Sequence, residues 1–210
     1  TGTADHALAF TSTVAGAVSI SGGAFTQSGG AKSGISFADA ITGPGVSISH
    51  AAVTALVTAV EINDLQAPLA ITDVAASAPT AGNGLAVLAI SSATSITIGG
   101  GSFVGAERGI RFSSVDAATI VTLKEVTAQA TGTYHAVDFT GTVAGAVSIA
   151  GGAVTQSSVG KRGINFQGIV SAAVSISGVS ASSGGTGVAF EDLRAPLTVT
   201  NVASTSTTYN

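Results

Sequence analysis

The sequence predicts an all-β fold, a right-handed parallel β-helix (β-solenoid) with eight coils of about 25 residues and three short strands per coil. Three observations predict it. A four-residue apolar signature recurs eight times at spacings of 24 to 27 residues, alternating apolar and polar residues follow each signature, and glycine-rich segments separate these stretches. A period of two along the apolar residues is typical of strands with one buried face and does not fit a helix.

The signature consists of a small residue, an aliphatic residue, a variable residue and a large apolar residue. We expect it to form the first strand of each coil. Its eight copies are residues 7–10, 34–37, 59–62, 84–87, 109–112, 136–139, 163–166 and 187–190. Parallel strands stack about 4.8 Å apart, so the last residues of the eight signatures should form one continuous apolar column.

A second alternating strand follows each signature, and a third apolar anchor comes soon after it. The second strands end at Ile20, Ile48, Ile71, Ile98, Leu123, Ile149, Ile176 and Val199. The predicted third anchors are Phe25, Val53, Val74, Phe103, Val126, Val154, Val179 and Val202. Gly-Gly, Gly-Pro-Gly and Ala-Pro segments between the strands favour corners, because glycine accepts positive φ and proline fixes a bend. Parallel crossovers are almost always right-handed, which predicts the hand of the coil.

Composition argues against several classes of protein. The chain of 210 residues has a net charge of −4, so a basic nucleic-acid-binding surface is not expected. No apolar run approaches the roughly 18 residues of a membrane-spanning helix, and we expect no membrane insertion by this segment. Cysteine is absent, which excludes disulfides and thiolate metal sites. We predict no cofactor and no metal.

The sequence also contains a repeat longer than one coil, because residues 13–20 recur unchanged as residues 142–149. Five coils make one super-repeat, with a first unit at 1–129 and a partial second unit at 130–210. We therefore expect one β-solenoid domain over residues 1–210, taken from a longer repetitive protein.

Residues 18–23 (Val-Ser-Ile-Ser-Gly-Gly) and the recurring Gly-Ile-x-Phe resemble the right-handed β-helix repeats of large bacterial surface proteins, namely autotransporter passengers and filamentous adhesins. The resemblance covers the whole chain and is architectural. It implies an extracellular or cell-surface scaffold or adhesin rod that self-associates, for example as filaments or a sheath, or contacts a host, matrix or glycan surface. It implies no enzymatic activity.

Polar residues of coils five to seven supply an alternative interpretation. Stacking places Arg108, His135 and Arg162 in one column and Arg111, Asp138 and Asn165 in a second column on the outward face of the first strand. The favoured interpretation is a solvated face with an Arg111–Asp138 ion pair between coils. The alternative is a carbohydrate-binding or polysaccharide-degrading β-helix, with Arg108, Arg111, His135, Asp138 and Arg162 as ligand-binding residues. No catalytic residue is predicted, because glycoside hydrolysis needs two carboxylates and Asp138 has no acidic partner at its level in the adjacent coils.

Other polar residues favour structural roles. Asp39, Asp64, Asp116 and Asp192 fall near the first corner, where such side chains usually accept hydrogen bonds from their own backbone. His6 and His135 occupy equivalent places in the super-repeat, and the spacing brings no two histidines together at a metal.

Overall fold

The computed structural model describes residues 5–93 and 95–206, and these fold into 24 β-strands without a helix. The strands, β1 to β24 in chain order, form three parallel sheets of eight strands each. Every third strand belongs to the same sheet, so each coil contributes one strand to each sheet. This topology confirms the predicted parallel β-solenoid of eight coils.

The first sheet contains the signature strands. They are β1 Leu8–Phe10, β4 Ile35–Ile41, β7 Val60–Leu65, β10 Asn83–Val87, β13 Arg108–Phe112, β16 Val137–Phe139, β19 Ile164–Val170 and β22 Val188–Leu193. The last residues of all eight signatures are in register, as predicted. Where neighbouring coils both supply phenylalanine, the rings stack with centroids 4.5 to 5.0 Å apart. The apolar column is therefore confirmed.

The second sheet contains the strands that follow the first corner. They are β2 Val18–Ser21, β5 Val46–Ser49, β8 Leu69–Thr72, β11 Ser95–Gly99, β14 Ile120–Lys124, β17 Val147–Ala150, β20 Val174–Ser177 and β23 Leu197–Thr200. The predicted row from Ile20 to Val199 is in register through all eight coils. Its members are buried in the interior coils, while serine, threonine and alanine occupy most of the alternate positions.

A sharp corner separates the second strand from the third, and one residue there has a left-handed backbone in every coil. The eight residues have φ between 52° and 72° and are Gly22, His50, Asp73, Gly100, Glu125, Gly151, Gly178 and Asn201. Four of them carry a side chain, although the left-handed conformation costs non-glycine residues roughly 1–2 kcal/mol. The geometry of the corner thus outweighs the intrinsic preference of these four residues for negative φ.

The third sheet closes each coil. Its strands are β3 Ala24–Thr26, β6 Ala52–Thr54, β9 Ala75–Ala78, β12 Ser102–Gly105, β15 Thr127–Ala130, β18 Ala153–Val159, β21 Ser180–Gly184 and β24 Ala203–Ser206. The inner row of this sheet is Phe25, Val53, Ala76, Phe103, Ala128, Val154, Ala181 and Ser204.

All four of the remaining predicted anchors pack in or against the core, but they do not belong to the third strands. Four of the predicted valines lie two residues before the inner row, at the corner itself: Val74, Val126, Val179 and Val202. The physical reason is an exchange of bulk between two positions, which we name the corner position and the row position. Coils with glycine or alanine at the corner position have phenylalanine or valine at the row position, and coils with valine at the corner position have alanine or serine at the row position.

Candidate functional site

The five residues nominated from the sequence lie together around β13, β16 and β19. Arg108 and Arg111 belong to β13, Asp138 belongs to β16, and His135 and Arg162 lie just before β16 and β19. Arg111 is in register with Asp138, as predicted. The parallel stack therefore brings side chains from three coils to one polar cluster.

Asp138 is the centre of this cluster and has no exposed surface. Its Oδ2 accepts a hydrogen bond from Nε of Arg108 at 2.7 Å, and its Oδ1 accepts one from Nδ2 of Asn165 at 2.8 Å. Arg108 itself is 6% exposed, and its Nη1 lies 3.4 Å from a carboxylate oxygen of Glu107. A buried carboxylate thus receives one cation from the coil before it and one amide from the coil after it.

These contacts correct two predictions. The solvated face was wrong, because Asp138 and Asn165 are fully buried. The Arg111–Asp138 ion pair was also wrong, because the carboxylate is bound by Arg108, which precedes the signature strand. Long side chains reach across the ladder diagonally, so strand register alone does not determine the partner. The Nε of Arg111 is buried and finds no hydrogen-bond partner among the described residues.

A second branch of the cluster reaches the surface through Arg162. Its Nη1 donates to Oδ1 of Asn165 at 2.5 Å and to Oε1 of Glu191 at 2.9 Å. Its backbone N–H donates to Nδ1 of His135 at 3.0 Å. The network therefore continues into the eighth coil, and His135 acts as a hydrogen-bond acceptor within it.

His135 is largely buried, and desolvation lowers the pKa of its imidazole. The carboxylate of Asp138 opposes this effect, while the cations of Arg162, Lys161 and Arg108 add to it. The lowered pKa agrees with the geometry, because Nδ1 must be unprotonated to accept the N–H of Arg162. We conclude that neutral His135 is the form that fits the folded chain.

Tyr134 is a residue of the site that the sequence analysis missed. Its ring lies over the guanidinium of Arg108, with Cζ of the arginine 3.9 Å from the ring centroid, and the tyrosine is 41% exposed. The buried amide of Gln156 holds the turn, since its Nε2 donates to the carbonyls of Gly132 and Tyr134. The available signal was a rare aromatic residue, one of two tyrosines in the chain, directly before His135.

The sequence repeat shows that the scaffold does not need this cluster. In the first super-repeat, Ala9 and Ser36 occupy the places of Asp138 and Asn165, and Ser33 occupies the place of Arg162. The histidine contact is kept, because the N–H of Ser33 donates to Nδ1 of His6 at 3.1 Å. The same strands therefore form with and without buried charges.

Two shallow depressions lie elsewhere on the surface. One, of about 360 Å³, runs along the start of the second sheet past Pro44 and Pro68, and the other, of about 430 Å³, lies beside Ser91 and Asp116. Neither is lined by a residue of the cluster. Within residues 5–93 and 95–206, no group of three histidine or acidic side chains converges as a metal site.

The geometry limits the chemistry that Asp138 can perform. A fully buried carboxylate that is hydrogen-bonded on both oxygens cannot reach a reacting bond. The surface groups of the cluster are an aromatic ring, the Arg111 guanidinium, and the Arg162–Glu191 ion pair. In the same described part of the chain, no helix is long and apolar enough to cross a bilayer.

Comparisons of the chain with protein-family models, curated proteins and solved structures find no match. The fold therefore rests on the strand topology, and the resemblance to bacterial surface proteins stays a prediction.

Proposed function

We propose that this chain is a rigid extracellular scaffold or adhesin rod on a bacterial cell surface. The supporting observation is the unbroken register of three sheets through eight coils. A coil rise of about 4.8 Å makes the described stack a rod on the order of 40 Å long. Each coil is tied to its neighbours by ladder hydrogen bonds and by the apolar column, so bending the rod would separate both.

The outer surface supports a spacer role. The outward positions of the second sheet are mostly serine, threonine and alanine, and Lys124 is the charged residue among its strands. Small neutral side chains on a regular sheet offer few strong contacts to passing molecules. Such a surface suits a rod that acts as a spacer, because it offers few binding contacts along the length of the rod.

Small-angle X-ray scattering and labelling of intact cells test this proposal. We expect an elongated particle of constant cross-section, and an antibody against the chain should label unpermeabilised cells of the source organism. Labelling that appears after permeabilisation alone would contradict the surface location. A compact, near-spherical scattering profile would contradict the rod.

A second candidate function is binding of an acidic glycan at the polar cluster. Two observations favour it: Tyr134 is exposed, with its ring over Arg108, and the buried Nε of Arg111 has no hydrogen-bond partner in the described chain. Aromatic rings accept the apolar face of a sugar, and guanidinium binds carboxylate.

Calorimetry with a defined uronate oligosaccharide tests this candidate. Binding should be lost in Tyr134→Ala and Arg111→Ala and kept in Arg194→Ala, which removes an exposed arginine paired with Asp192 in the last coil. Absence of binding by the wild-type chain on an array of acidic glycans would dispose of it.

A further inference from the structure

Two cations of the polar cluster already have anionic partners. Arg108 lies against the carboxylates of Asp138 and Glu107. Arg162 lies against Glu191, with 2.9 Å between its Nη1 and Oε1 of the glutamate. Because these two guanidinium groups are neutralised within the chain, an acidic ligand gains little from either of them.

Two other cations of the same region have no such partner. Neither Arg111 nor Lys161 forms an ion pair with a residue of 5–93 or 95–206. The buried Nε of Arg111 also finds no hydrogen-bond partner there. Lys161 is partly exposed, and its charge helps to lower the pKa of His135, so it lies close to the cluster. These two cations are therefore free to bind an anion through charge-assisted hydrogen bonds.

The two unpaired cations lie in the coils on either side of Tyr134. Arg111 belongs to coil five, Tyr134 lies just before strand β16 of coil six, and Lys161 lies just before strand β19 of coil seven. Coils rise about 4.8 Å each, so the two cations are separated by about 10 Å along the rod axis. The Tyr134 ring covers Arg108 and keeps an exposed part for a ligand.

A buried amide joins the turn of Tyr134 to the turn of Lys161. Gln156 is 2% exposed, its Nε2 donates to the carbonyl of Tyr134, and its Oε1 accepts the backbone N–H of Ser158. The carbonyl of Ser158 accepts the N–H of Lys161 at 3.3 Å. The two turns are thus held together before any ligand arrives, which lowers the entropy cost of binding.

One surface anion restricts how an acidic ligand can lie. Glu107 has the place in coil five that Tyr134 and Lys161 have in the next two coils, and its side chain is 44% exposed. A ligand that ran straight along this column would bring a carboxylate to Glu107. We therefore expect the ligand to cross obliquely, from Lys161 at the corner, past Tyr134, to Arg111 on strand β13.

We infer that the ligand of the polar cluster is an oligouronate of at least three sugar units that binds across coils five to seven. This inference rests on the proposed glycan binding and specifies the length and charge spacing of the ligand. A central sugar lies against the Tyr134 ring, and carboxylates of the units on its two sides bind Lys161 and Arg111. A single unit cannot span two coils, so a chain is needed to reach both cations.

Calorimetry with a length series of oligogalacturonates tests this inference. Galacturonate itself should not bind measurably, and the affinity should rise about tenfold or more from the disaccharide to the trisaccharide, since the third unit adds a second charged contact. Lys161→Ala should abolish that gain. The matched control Lys124→Ala removes an exposed lysine from the second sheet of coil five and should keep the gain.

A second measurement tests the link between the two turns without a ligand. Tyr209→Phe leaves Tyr134 as the one tyrosine of a chain without tryptophan. In that background, Gln156→Met should lower the fluorescence anisotropy of Tyr134, because the turn loses its hydrogen bonds to the amide. Thr119→Val removes another buried hydrogen bond, to the Ala93 carbonyl, and should leave the anisotropy unchanged.

The outcomes separate this inference from the function on which it rests. Equal affinities for the disaccharide and the trisaccharide, a Lys161→Ala chain that keeps the gain, or unchanged anisotropy in Gln156→Met would overturn the inference and leave glycan binding in place. A wild-type chain that binds no acidic glycan of any length would remove the glycan function itself, and this inference with it.

Discussion

Replacing Asp138 with alanine leaves the guanidinium of Arg108 buried without the carboxylate that neutralises it. Arg108 is 6% exposed, and the remaining anion near it, Glu107, is 3.4 Å away and half exposed. Breaking a buried ion pair by removing one partner costs about 3–5 kcal/mol. The two hydrogen bonds that Asp138 accepts give an overlapping range of about 3–6 kcal/mol, since hydrogen bonds to charged groups contribute about 1.5–3 kcal/mol each.

The double variant Arg108→Met/Asp138→Ala should be less destabilised than either single variant. It removes both charges, and alanine is the residue that coil one has at the place of Asp138. With each single substitution costing at least about 3 kcal/mol, the coupling free energy should be at least about 3 kcal/mol. Urea unfolding followed by circular dichroism measures all four proteins. Single variants that lose less than about 1 kcal/mol, or losses that simply add, would refute the buried pair.

Three further predictions concern the stack and its titration. Phe139→Ala should lower the free energy of unfolding by about 3–5 kcal/mol, because the Phe139 ring is buried between two stacked rings. Phe10→Ala should lower it clearly less, because Phe10 stacks on Phe37 alone. Equal losses in urea unfolding would contradict the column. Gly152→Ala should destabilise the chain more than Gly22→Ala. A Cβ at Gly152 would stand 2.1 Å from a carbonyl oxygen of the preceding coil, whereas one at Gly22 meets nothing within 4 Å. The cost at Gly22 is therefore the left-handed backbone penalty of roughly 1–2 kcal/mol. Because the pKa of His135 is lowered in the folded chain, the unfolded chain binds more protons, and wild-type stability should fall as the pH drops below about 6.5. In thermal melts across this pH range, His135→Asn should show a weaker dependence of stability on pH. An unchanged dependence would assign it to other groups.

The first two sheets could be predicted from the sequence because each coil places its buried bulk at one fixed position. The rows ending at Phe190 and Val199 follow directly from that regularity. The third sheet was predicted in part, because its core space is filled from either of two positions. A single-position pattern cannot represent that exchange, so the anchors Val74 and Phe103 were named without the distinction between the corner and row positions.

The candidate site was predicted in part of its membership but not in its chemistry. Strand spacing correctly brought Arg111 level with Asp138. Which guanidinium binds the carboxylate depends on the reach of a flexible side chain and on the ring of Tyr134 above Arg108. Neither is encoded in the spacing of apolar residues, so burial of the ion pair could not be anticipated.

Comparison of the two super-repeats distinguishes the apolar rows that every coil keeps from the buried polar cluster that one super-repeat has. The apolar rows are retained in both super-repeats, whereas Asp138 and Asn165 correspond to Ala9 and Ser36. Buried ion pairs are weak evidence for stability, because apolar residues of similar size often do as well. A scaffold that already folds with alanine and serine at these places gains little cohesion from a buried carboxylate and two arginines. The main structural effect of the cluster is therefore to fix the positions of the surface groups around it, Tyr134 over Arg108 and Arg162 between Asn165 and Glu191.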